Sequence, residues 1–320
     1  MLDVACAEHE KPCTHEIEND CNHEHKQVLL LKRQVLLLAA TDTPSHVEMM
    51  KAGAYYSTVV KQDGSLWAAG SNSHGMLGDG STTERENFVK VISENTKSVA
   101  IGCRHTIVLK EDNSAWATGQ NDRGQLGDGT IIDRDTFVKV ISGGVKDVAA
   151  GCQHSIVLKQ DGVLYVTGWN PNTGASTWHY LDKIDGAKYI VSGFYHSAVL
   201  TNDNSLWTAG LNEHGQLGDG STTAGNKYSK VISGGVKAVS AGGRQTVVLK
   251  QDGTVWATGS NEQGQLGDGT TTDRHGFVQV NAFCLYRFVL AVYIYLQYPT
   301  LETCFLTKTY MHLVCISSKV

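Results

Sequence analysis

Short runs of alternating apolar and polar residues, separated by turn signals, recur along most of the chain. In one stretch the apolar spacing predicts three strands, at 145–151, 155–159 and 163–166. Asp161-Gly162 lies between the second and third of them. Because this pair tolerates the positive φ angles of a tight turn, it predicts a hairpin. No helical period accompanies these runs, so the pattern predicts an all-β protein built from short antiparallel strands.

A four-residue motif, an aromatic residue followed by two small or β-branched residues and glycine, marks a repeat. Its five copies begin at Trp67, Trp116, Tyr165, Trp207 and Trp256, so successive copies are 49, 49, 42 and 49 residues apart. A second block, Gly-x-Leu-Gly-Asp-Gly, follows every Trp copy and is missing after Tyr165. The chain therefore divides into five repeats, at 47–95, 96–144, 145–186, 187–235 and 236–280.

Each repeat holds four predicted strands, the fourth after the Gly-rich block, as at 137–141. A single small sheet cannot bury both of its faces, so the repeats are predicted to stack as the blades of a β-propeller. The aromatic residue of each motif is then expected to be buried between blades. The repeat 145–186 is expected to be atypical, because it must connect its last two strands through 171–174.

Three elements of the repeat resemble the regulator of chromosome condensation repeat family. They are Ala-Gly-x-x-His-(Ser/Thr), Asp-Gly-x-(Leu/Val)-Trp-Ala-Thr-Gly-x-Asn and Gly-Gln-Leu-Gly-Asp-Gly, and they occur within residues 47–280. The resemblance implies a β-propeller, which in this family is usually closed by seven blades. Because five repeats are visible, we expect at least five four-stranded blades and a propeller that is incomplete or open relative to seven.

The segment 1–46 lacks the repeat and is acidic and rich in His and Cys, with an apolar stretch at 28–40. Zinc is the metal that such donors would suit. However, no two cysteines are spaced as Cys-x2–4-Cys, so we predict an acidic tail without a metal site. The donors in question are Cys6, His9, Cys13, His15, Cys21, His23 and His25.

The segment 281–320 also lacks the repeat and contains no glycine, although the protein has 34. Our hypothesis is that this tail is translated non-coding sequence, an artefact of the gene model. The alternative is a real tail that supplies closing strands or a weak membrane anchor. A membrane span is not expected, because 28–40 is interrupted by Lys32-Arg33 and 282–298 is shorter than the ~20 apolar residues that a span needs.

Charge and cysteine content narrow the classes of function. The net charge is −5, and residues 1–27, with seven acids and two bases, account for all of it. The remaining 25 acids and 25 bases form no basic stripe, so direct nucleic-acid binding is not expected.

Cys103 and Cys152 occupy equivalent repeat positions and are expected to be small buried residues. With no secretory signal and no short disulfide framework, the predicted location is the cytoplasm or nucleus.

Residues that could carry chemistry recur from repeat to repeat, which favours structural roles. A catalytic histidine has no reason to occur three times, so we predict that these histidines are hydrogen-bonded within the fold. The loop carboxylates are predicted to accept backbone N–H groups of their own loops, and the arginines that follow are predicted to pair with them. We predict no catalytic, cofactor-binding or metal-binding residue. The recurring residues are His105, His154 and His196; Asp79, Asp128, Asp219 and Asp268; and Arg85, Arg134 and Arg274.

The interpretation that follows is a non-enzymatic protein–protein interaction scaffold. Positions that vary within the otherwise constant Asn-x-x-Gly turn are not explained by the repeat, so they are candidate partner-binding positions. The alternative, implied by the family's founding member, is guanine-nucleotide exchange on a Ran-type small GTPase. That member uses a protruding β-wedge, and no repeat here carries an insertion. The candidate positions are Ser73, His74, Asp122, Arg123, Glu213, His214, Glu262 and Gln263.

Overall fold

Five four-stranded antiparallel sheets make up most of the protein. A computed structural model describes residues 47–169 and 175–280, together with the two-residue strands Cys304–Phe305 and Val314–Cys315. In each four-stranded sheet the strands lie side by side in the order in which they occur in the chain. The prediction of an all-β chain with at least five four-stranded blades is thus confirmed, and we number these sheets blades 1 to 5.

The strand bounds repeat with the sequence period. Blade 1 contains β1 (Val47–Ala52), β2 (Tyr56–Lys61), β3 (Leu66–Gly70) and β4 (Arg85–Ile92). Blade 2 contains β5 (Thr96–Ile101), β6 (His105–Lys110), β7 (Ala115–Gly119) and β8 (Arg134–Ile141). Blade 3 contains β9 (Val145–Ala150), β10 (His154–Lys159), β11 (Val163–Gly168) and β12 (Ala175–Lys183). Blade 4 contains β13 (Ala187–Ser192), β14 (His196–Thr201), β15 (Leu206–Gly210) and β16 (Gly225–Ile232). Blade 5 contains β17 (Val236–Ala241), β18 (Gln245–Lys250), β19 (Val255–Gly259) and β20 (Arg274–Val280), and β21 and β22 are the two short strands named above.

The turn between the second and third strands of each blade has the backbone that its sequence predicts. The turn residue adopts a positive φ in every blade, with values from 60° to 84°. Before it, Asp63 accepts a hydrogen bond from the backbone N–H of Ser65 at 2.9 Å, which closes the turn. The residues with positive φ are Gly64, Asn113, Gly162, Asn204 and Gly253.

The contacts within the chain form two compact units. Among the described residues, the first comprises 47–143, 167–169 and 175–177, and the second comprises 144–166 and 178–280. In the first unit, apolar residues of blades 1 and 2 share a core formed by Val60, Leu66, Val99 and Val108. In the second unit, the corresponding core between blades 4 and 5 is formed by Ala198, Leu200, Leu206, Val236, Val239 and Val248. Each core buries the facing sides of two neighbouring sheets.

The aromatic residue of the repeat motif is half-buried in every blade, so its expected burial between blades is only partial. Trp116 donates its indole N–H to Ser114 Oγ at 3.0 Å, and the Lys139 ammonium lies 5.2 Å from the ring centroid. Trp207 and Trp256 pack against apolar cores at their edges. A lysine ammonium also lies over the rings of Trp67, Trp207 and Trp256, so these rings contact charged side chains on the side that is not packed against a core.

The structure corrects the expectation for the two cysteines, and several other expectations fall on residues that it does not describe. Cys103 and Cys152 are half-buried and disulfide-bonded, so the expectation of small buried thiols is wrong. The predictions for 1–46, for the connection at 171–174 and for the tail at 281–320 lie outside the described residues, apart from β21 and β22. No helix long and apolar enough to cross a membrane is present in the described part of the chain.

Candidate functional site

Each Gly-x-Leu-Gly-Asp-Gly loop folds around one buried asparagine. In blade 2, Asn121 Oδ1 accepts the N–H of Leu126 at 3.0 Å, and its Nδ2 donates to Asp128 Oδ1 at 3.0 Å. The same Nδ2 also lies 3.1 Å from the carbonyl oxygens of Thr130 and Ile132. One side chain thereby fixes both ends of the loop. The asparagine recurs at Asn72, Asn121, Asn212 and Asn261, each fully buried, and this recurrence is the signal that the sequence analysis did not use.

The loop carboxylates are engaged within their own loops, as predicted. Asp79 Oδ1 accepts the N–H of Ser81 at 3.0 Å, and Arg85 Nε donates to Oδ2 at 2.6 Å. Burial raises the pKa of Asp79, but hydrogen bonds from Arg85, Ser81 and Asn72 lower it more, so the carboxylate stays charged. The same ion pair joins Asp128 to Arg134 and Asp268 to Arg274.

The loop of one blade holds the outer strand of the next. In the first unit, Gly80 donates its N–H to Asp135 O at 2.9 Å, and Thr118 Oγ1 donates to Gly75 O at 2.9 Å. A Cβ at Gly75 would collide with the backbone of Asp135. Glycine is therefore required by the close approach of two blades, which accounts for its recurrence without any ligand. In the second unit the same contacts join Gly215 and Gly220 to Thr258 and His275.

The three recurring histidines are buried, and His154 and His196 are hydrogen-bonded, as predicted. His154 Nε2 lies 2.9 Å from Ser192 Oγ, and His196 Nε2 lies 2.9 Å from Thr246 Oγ1. Burial lowers the pKa of both histidines to about 4, so they are neutral at physiological pH. Both join one blade to the next and present no charged or free group to a substrate.

The candidate partner-binding positions fall into two groups. The first group is exposed and consists of Ser73, Asp122, Arg123, Glu213, Glu262 and Gln263. The second consists of His74 and His214, which are half-buried and contact the following blade. The turn backbone is rigid, because the Gln of the loop accepts the N–H of Arg123, His214 and Gln263 at 2.9–3.0 Å.

His74 connects an acid and an arginine of blade 2. Its Nδ1 lies 2.8 Å from Asp133 Oδ2, and Arg104 Nη1 lies 3.4 Å from its Nε2. Arginine can only donate, so Nε2 accepts and the ring proton sits on Nδ1, facing the carboxylate. Asp133 Oδ1 also accepts the N–H of Asn121 at 2.7 Å. The Arg104 guanidinium lies 5.9 Å from the ring centroid of Tyr55.

A second network of the same kind joins blades 4 and 5. His214 Nδ1 lies 2.7 Å from Asp273 Oδ2, and Arg244 Nη1 lies 3.0 Å from His214 Nε2. Burial raises the pKa of Asp273, but hydrogen bonds from His214 and Asn261 lower it below its usual value. In both networks the acid lies 59 residues and the arginine 30 residues after the histidine. That shared spacing is a sequence signal, visible only when residues of different repeats are compared.

An exposed apolar pair distinguishes the first network from the second. Ile131 and Ile132 are 65% and 62% exposed, directly before Asp133, and Tyr55 is 41% exposed. The sequence analysis did not identify this pair. The equivalent positions elsewhere are Thr82-Thr83, Thr222-Thr223 and Thr271-Thr272. We use the name Ile–Arg patch for the surface formed by Tyr55, His74, Arg104, Ile131, Ile132 and Asp133.

Comparison with known proteins agrees with the repeat pattern. The family model "Regulator of chromosome condensation (RCC1) repeat" matches residues 97–125, 145–172, 187–216 and 236–265, and a second model of that description matches 112–158. No curated protein sequence matches significantly.

Among solved structures, the chain resembles three β-propellers in fold. Human WBSCR16 has a TM-score of 0.65 at 18% identity, with 73% of this chain and 67% of that one covered. Yeast RCC1 (Prp20) bound to Kap60 has a TM-score of 0.65 at 20% identity, with 71% and 59% covered. Prp20p from Saccharomyces cerevisiae has a TM-score of 0.56 at 18% identity, with 73% and 77% covered. The five sheets are thus β-propeller blades, and the chain spans about six tenths of the Prp20 chain in the Kap60 complex.

Proposed function

The chain belongs to the family of regulator of chromosome condensation repeat proteins, and we propose that it is a non-enzymatic scaffold that binds a protein partner through its blade loops. One observation carries the proposal: exposed side chains that differ from blade to blade sit on loops of fixed backbone. Because a buried Asn side chain already orders each of these loops, and a Gln side chain also bonds to the turn in blades 2, 4 and 5, a partner would bind them at a small cost in conformational entropy. Variable residues on a rigid scaffold are typical of binding surfaces.

The groups that resemble catalytic residues support a non-enzymatic role. His154 and His196 are buried and neutral, and each is hydrogen-bonded to the next strand or blade. The loop aspartates of blades 1, 2 and 5 are paired with arginine. In the described residues the two histidines join neighbouring blades and the aspartates order their own loops, so we propose no substrate for these groups.

Affinity purification of the full chain, followed by mass spectrometry, would identify the partner. A variant with alanine at six exposed turn positions would then test the surface. We expect an unchanged melting temperature, because these side chains are exposed, and weaker retention of the partner. Unaltered retention would contradict the proposed surface. The six positions are Ser73, Asp122, Arg123, Glu213, Glu262 and Gln263.

Guanine-nucleotide exchange on a Ran-type small GTPase is the second candidate. It is favoured by the likeness in fold to yeast Prp20p, a structure of which was described together with its binding properties to Gsp1p and histones. The test is the release of a fluorescent GDP from a Ran-type GTPase. No acceleration at micromolar protein would remove this candidate, whereas acceleration that is lost in the six-position variant would replace the scaffold proposal.

The predicted location of the protein in the cytoplasm or nucleus can be tested in the cells from which the partner is purified. Disulfides persist mainly in oxidising compartments, so the bonded state of Cys103 and Cys152 counts against this location. Fluorescence microscopy of the tagged full chain, with thiol labelling of the purified protein, would decide between the predicted location and an oxidising compartment.

A further inference from the structure

The backbone of the blade 2 loop does not require its two isoleucines. Ile132 donates its N–H to Thr130 Oγ1 at 3.3 Å, and its carbonyl accepts from Asn121 Nδ2 at 3.1 Å. In blade 5, Thr272 makes the same two contacts, at 3.3 Å to Thr270 and 3.0 Å to Asn261. The loop therefore folds identically with threonine, and the isoleucine side chains contribute nothing to it that threonine would not.

Two adjacent isoleucines that are more than 60% exposed form an apolar surface that the described residues leave uncovered. Single exposed apolar residues are common on proteins and need no explanation. A pair that replaces the Thr-Thr of three sister loops is a different case, because adjacent exposed apolar side chains form a patch, and such patches mark binding sites.

The polar side of the Ile–Arg patch has more donors than acceptors to satisfy them. Both oxygens of Asp133 accept hydrogen bonds, one from Asn121 and one from His74. Arg104 is exposed, and in the described part of the chain only its Nη1 has a hydrogen-bond partner, His74. The guanidinium lies 5.9 Å from the ring centroid of Tyr55, within the range of a cation–π contact. A guanidinium with free N–H groups matches a carboxylate, which it can bind in a bidentate way.

We propose that the Ile–Arg patch binds an extended protein segment in which an Asp or Glu lies within a few residues of a large apolar side chain. The carboxylate pairs with Arg104, and the apolar side chain covers Ile131 and Ile132. The proposal rests on the proposed function as a protein-binding scaffold. The isoleucine pair favours a protein segment over a nucleic-acid backbone or a free phosphate, since neither of these has an apolar group to cover it.

The probe is a displayed library of random 12-residue peptides, selected on the full chain. Counter-selection uses Ile131→Thr/Ile132→Thr, which restores the residues of the sister loops and so preserves the fold. We expect enrichment of peptides with an acidic residue near Leu, Ile or Phe. By calorimetry, the best peptide should bind Ile131→Thr/Ile132→Thr and Arg104→Gln at least tenfold more weakly than the unchanged chain.

The second compact unit provides a matched control and a gain-of-function test. Arg244→Gln should leave binding unchanged, because its network lacks the isoleucines. Thr271→Ile/Thr272→Ile should add a second site beside Arg244 and His214, which would raise the stoichiometry from one peptide to two.

Three results would overturn the proposal: no enriched peptides, peptides with basic instead of acidic residues, or equal binding to Ile131→Thr/Ile132→Thr. These results are distinguishable from failure of the scaffold proposal. A partner found by affinity purification that still binds Ile131→Thr/Ile132→Thr would remove the patch and leave the scaffold function intact. Failure to find any partner of the full chain would remove the scaffold function itself.

Discussion

His74 of blade 1 and Asp133 of blade 2 are 59 residues apart in the chain, and their side chains form a hydrogen bond between Nδ1 and Oδ2 at 2.8 Å on the loop surface. Their side chains are 27% and 42% exposed, whereas the equivalent pair of His214 and Asp273 is 18% and 24% exposed. A side-chain hydrogen bond of this kind contributes only about 1 kcal/mol to stability. The contact of His74 therefore serves mainly to orient Arg104 and the loop that carries Asp133.

Replacing Asn121 with alanine should destabilise the protein by about 2–4 kcal/mol, because it leaves the N–H of Leu126 and the carbonyl groups of Thr130 and Ile132 without their partner. Urea unfolding measures the change. Asp122→Ala, one residue further on and exposed, is the control and should shift stability by less than about 0.5 kcal/mol. Equal losses for the two variants would contradict the role of Asn121 as the centre of the loop.

His154→Gln should reduce the loss of stability in mild acid. Unfolded histidine takes up its proton near pH 6.5, whereas burial lowers the pKa of folded His154 to about 4. The unfolded state thus binds more protons between these values, so this histidine's contribution is present above pH 6.5 and is lost as pH falls toward 4. Blade 5 already carries Gln245 at this position, so glutamine suits the fold.

Melting temperatures at pH 7.5 and pH 5 would test this expectation. The unchanged chain should lose about 2 kcal/mol more than His154→Gln over that interval. Identical pH dependence of the two proteins would show that His154 is protonated as readily in the folded state as in the unfolded state.

Trp116→Ala should cost about 2–3 kcal/mol, less than the ~3–5 kcal/mol of a fully buried aromatic residue, because the ring is half-buried. Urea unfolding measures the loss, and Trp116→Phe, which keeps an aromatic ring beneath Lys139, should recover most of it. A loss below about 0.5 kcal/mol would mean that the ring does not contribute to the packing of the blades.

Thr258→Val should destabilise the protein by about 1 kcal/mol and speed hydrogen exchange at Gly220. The Thr258 hydroxyl lies 2.8 Å from Gly215 O, and Gly220 N–H bonds to His275 O in the same contact. Blade 4 has Ala209 at the equivalent position and follows a blade without the Gly-rich loop. Ala209→Thr is therefore expected to give no gain in stability, and a gain of about 1 kcal/mol would contradict this explanation.

The strands, turns and ion pairs that the sequence predicted correctly are those determined by residues close together in the chain. Strand alternation has a period of two, and a turn such as Asp63-Gly64 closes through its own side chain, so both are visible in a few residues. The pairing of Asp79 with Arg85 was predictable for the same reason, because six residues separate them.

The features that the sequence did not predict depend on contacts between different repeats or on how deeply a side chain is buried, and neither is visible within one repeat. The structural role of His74 was not predicted, because its partners Asp133 and Arg104 lie in the next blade. The variation of this position among the repeats therefore suggested that it has no structural role. Periodicity gave the face of Trp116 but not its depth. Ile131 and Ile132 were missed because only the Asn-x-x-Gly turn was compared, although the same comparison applied to the following loop identifies them.

The hydrogen bonds between a Gly-rich loop and the following blade constrain the order in which the repeats can occur along the chain. Loops occur in blades 1, 2, 4 and 5, and the hydroxyl that meets the first three of them is supplied by Thr118, Thr167 and Thr258 of the blades that follow. Blade 3 lacks the loop, and its successor has Ala209 in place of the hydroxyl. Shuffling blades 3 and 4 would give a loop followed by alanine and a threonine preceded by no loop. Although they look alike in sequence, the repeats are therefore not interchangeable, and recombination between them would be selected by whether each junction keeps its matching pair.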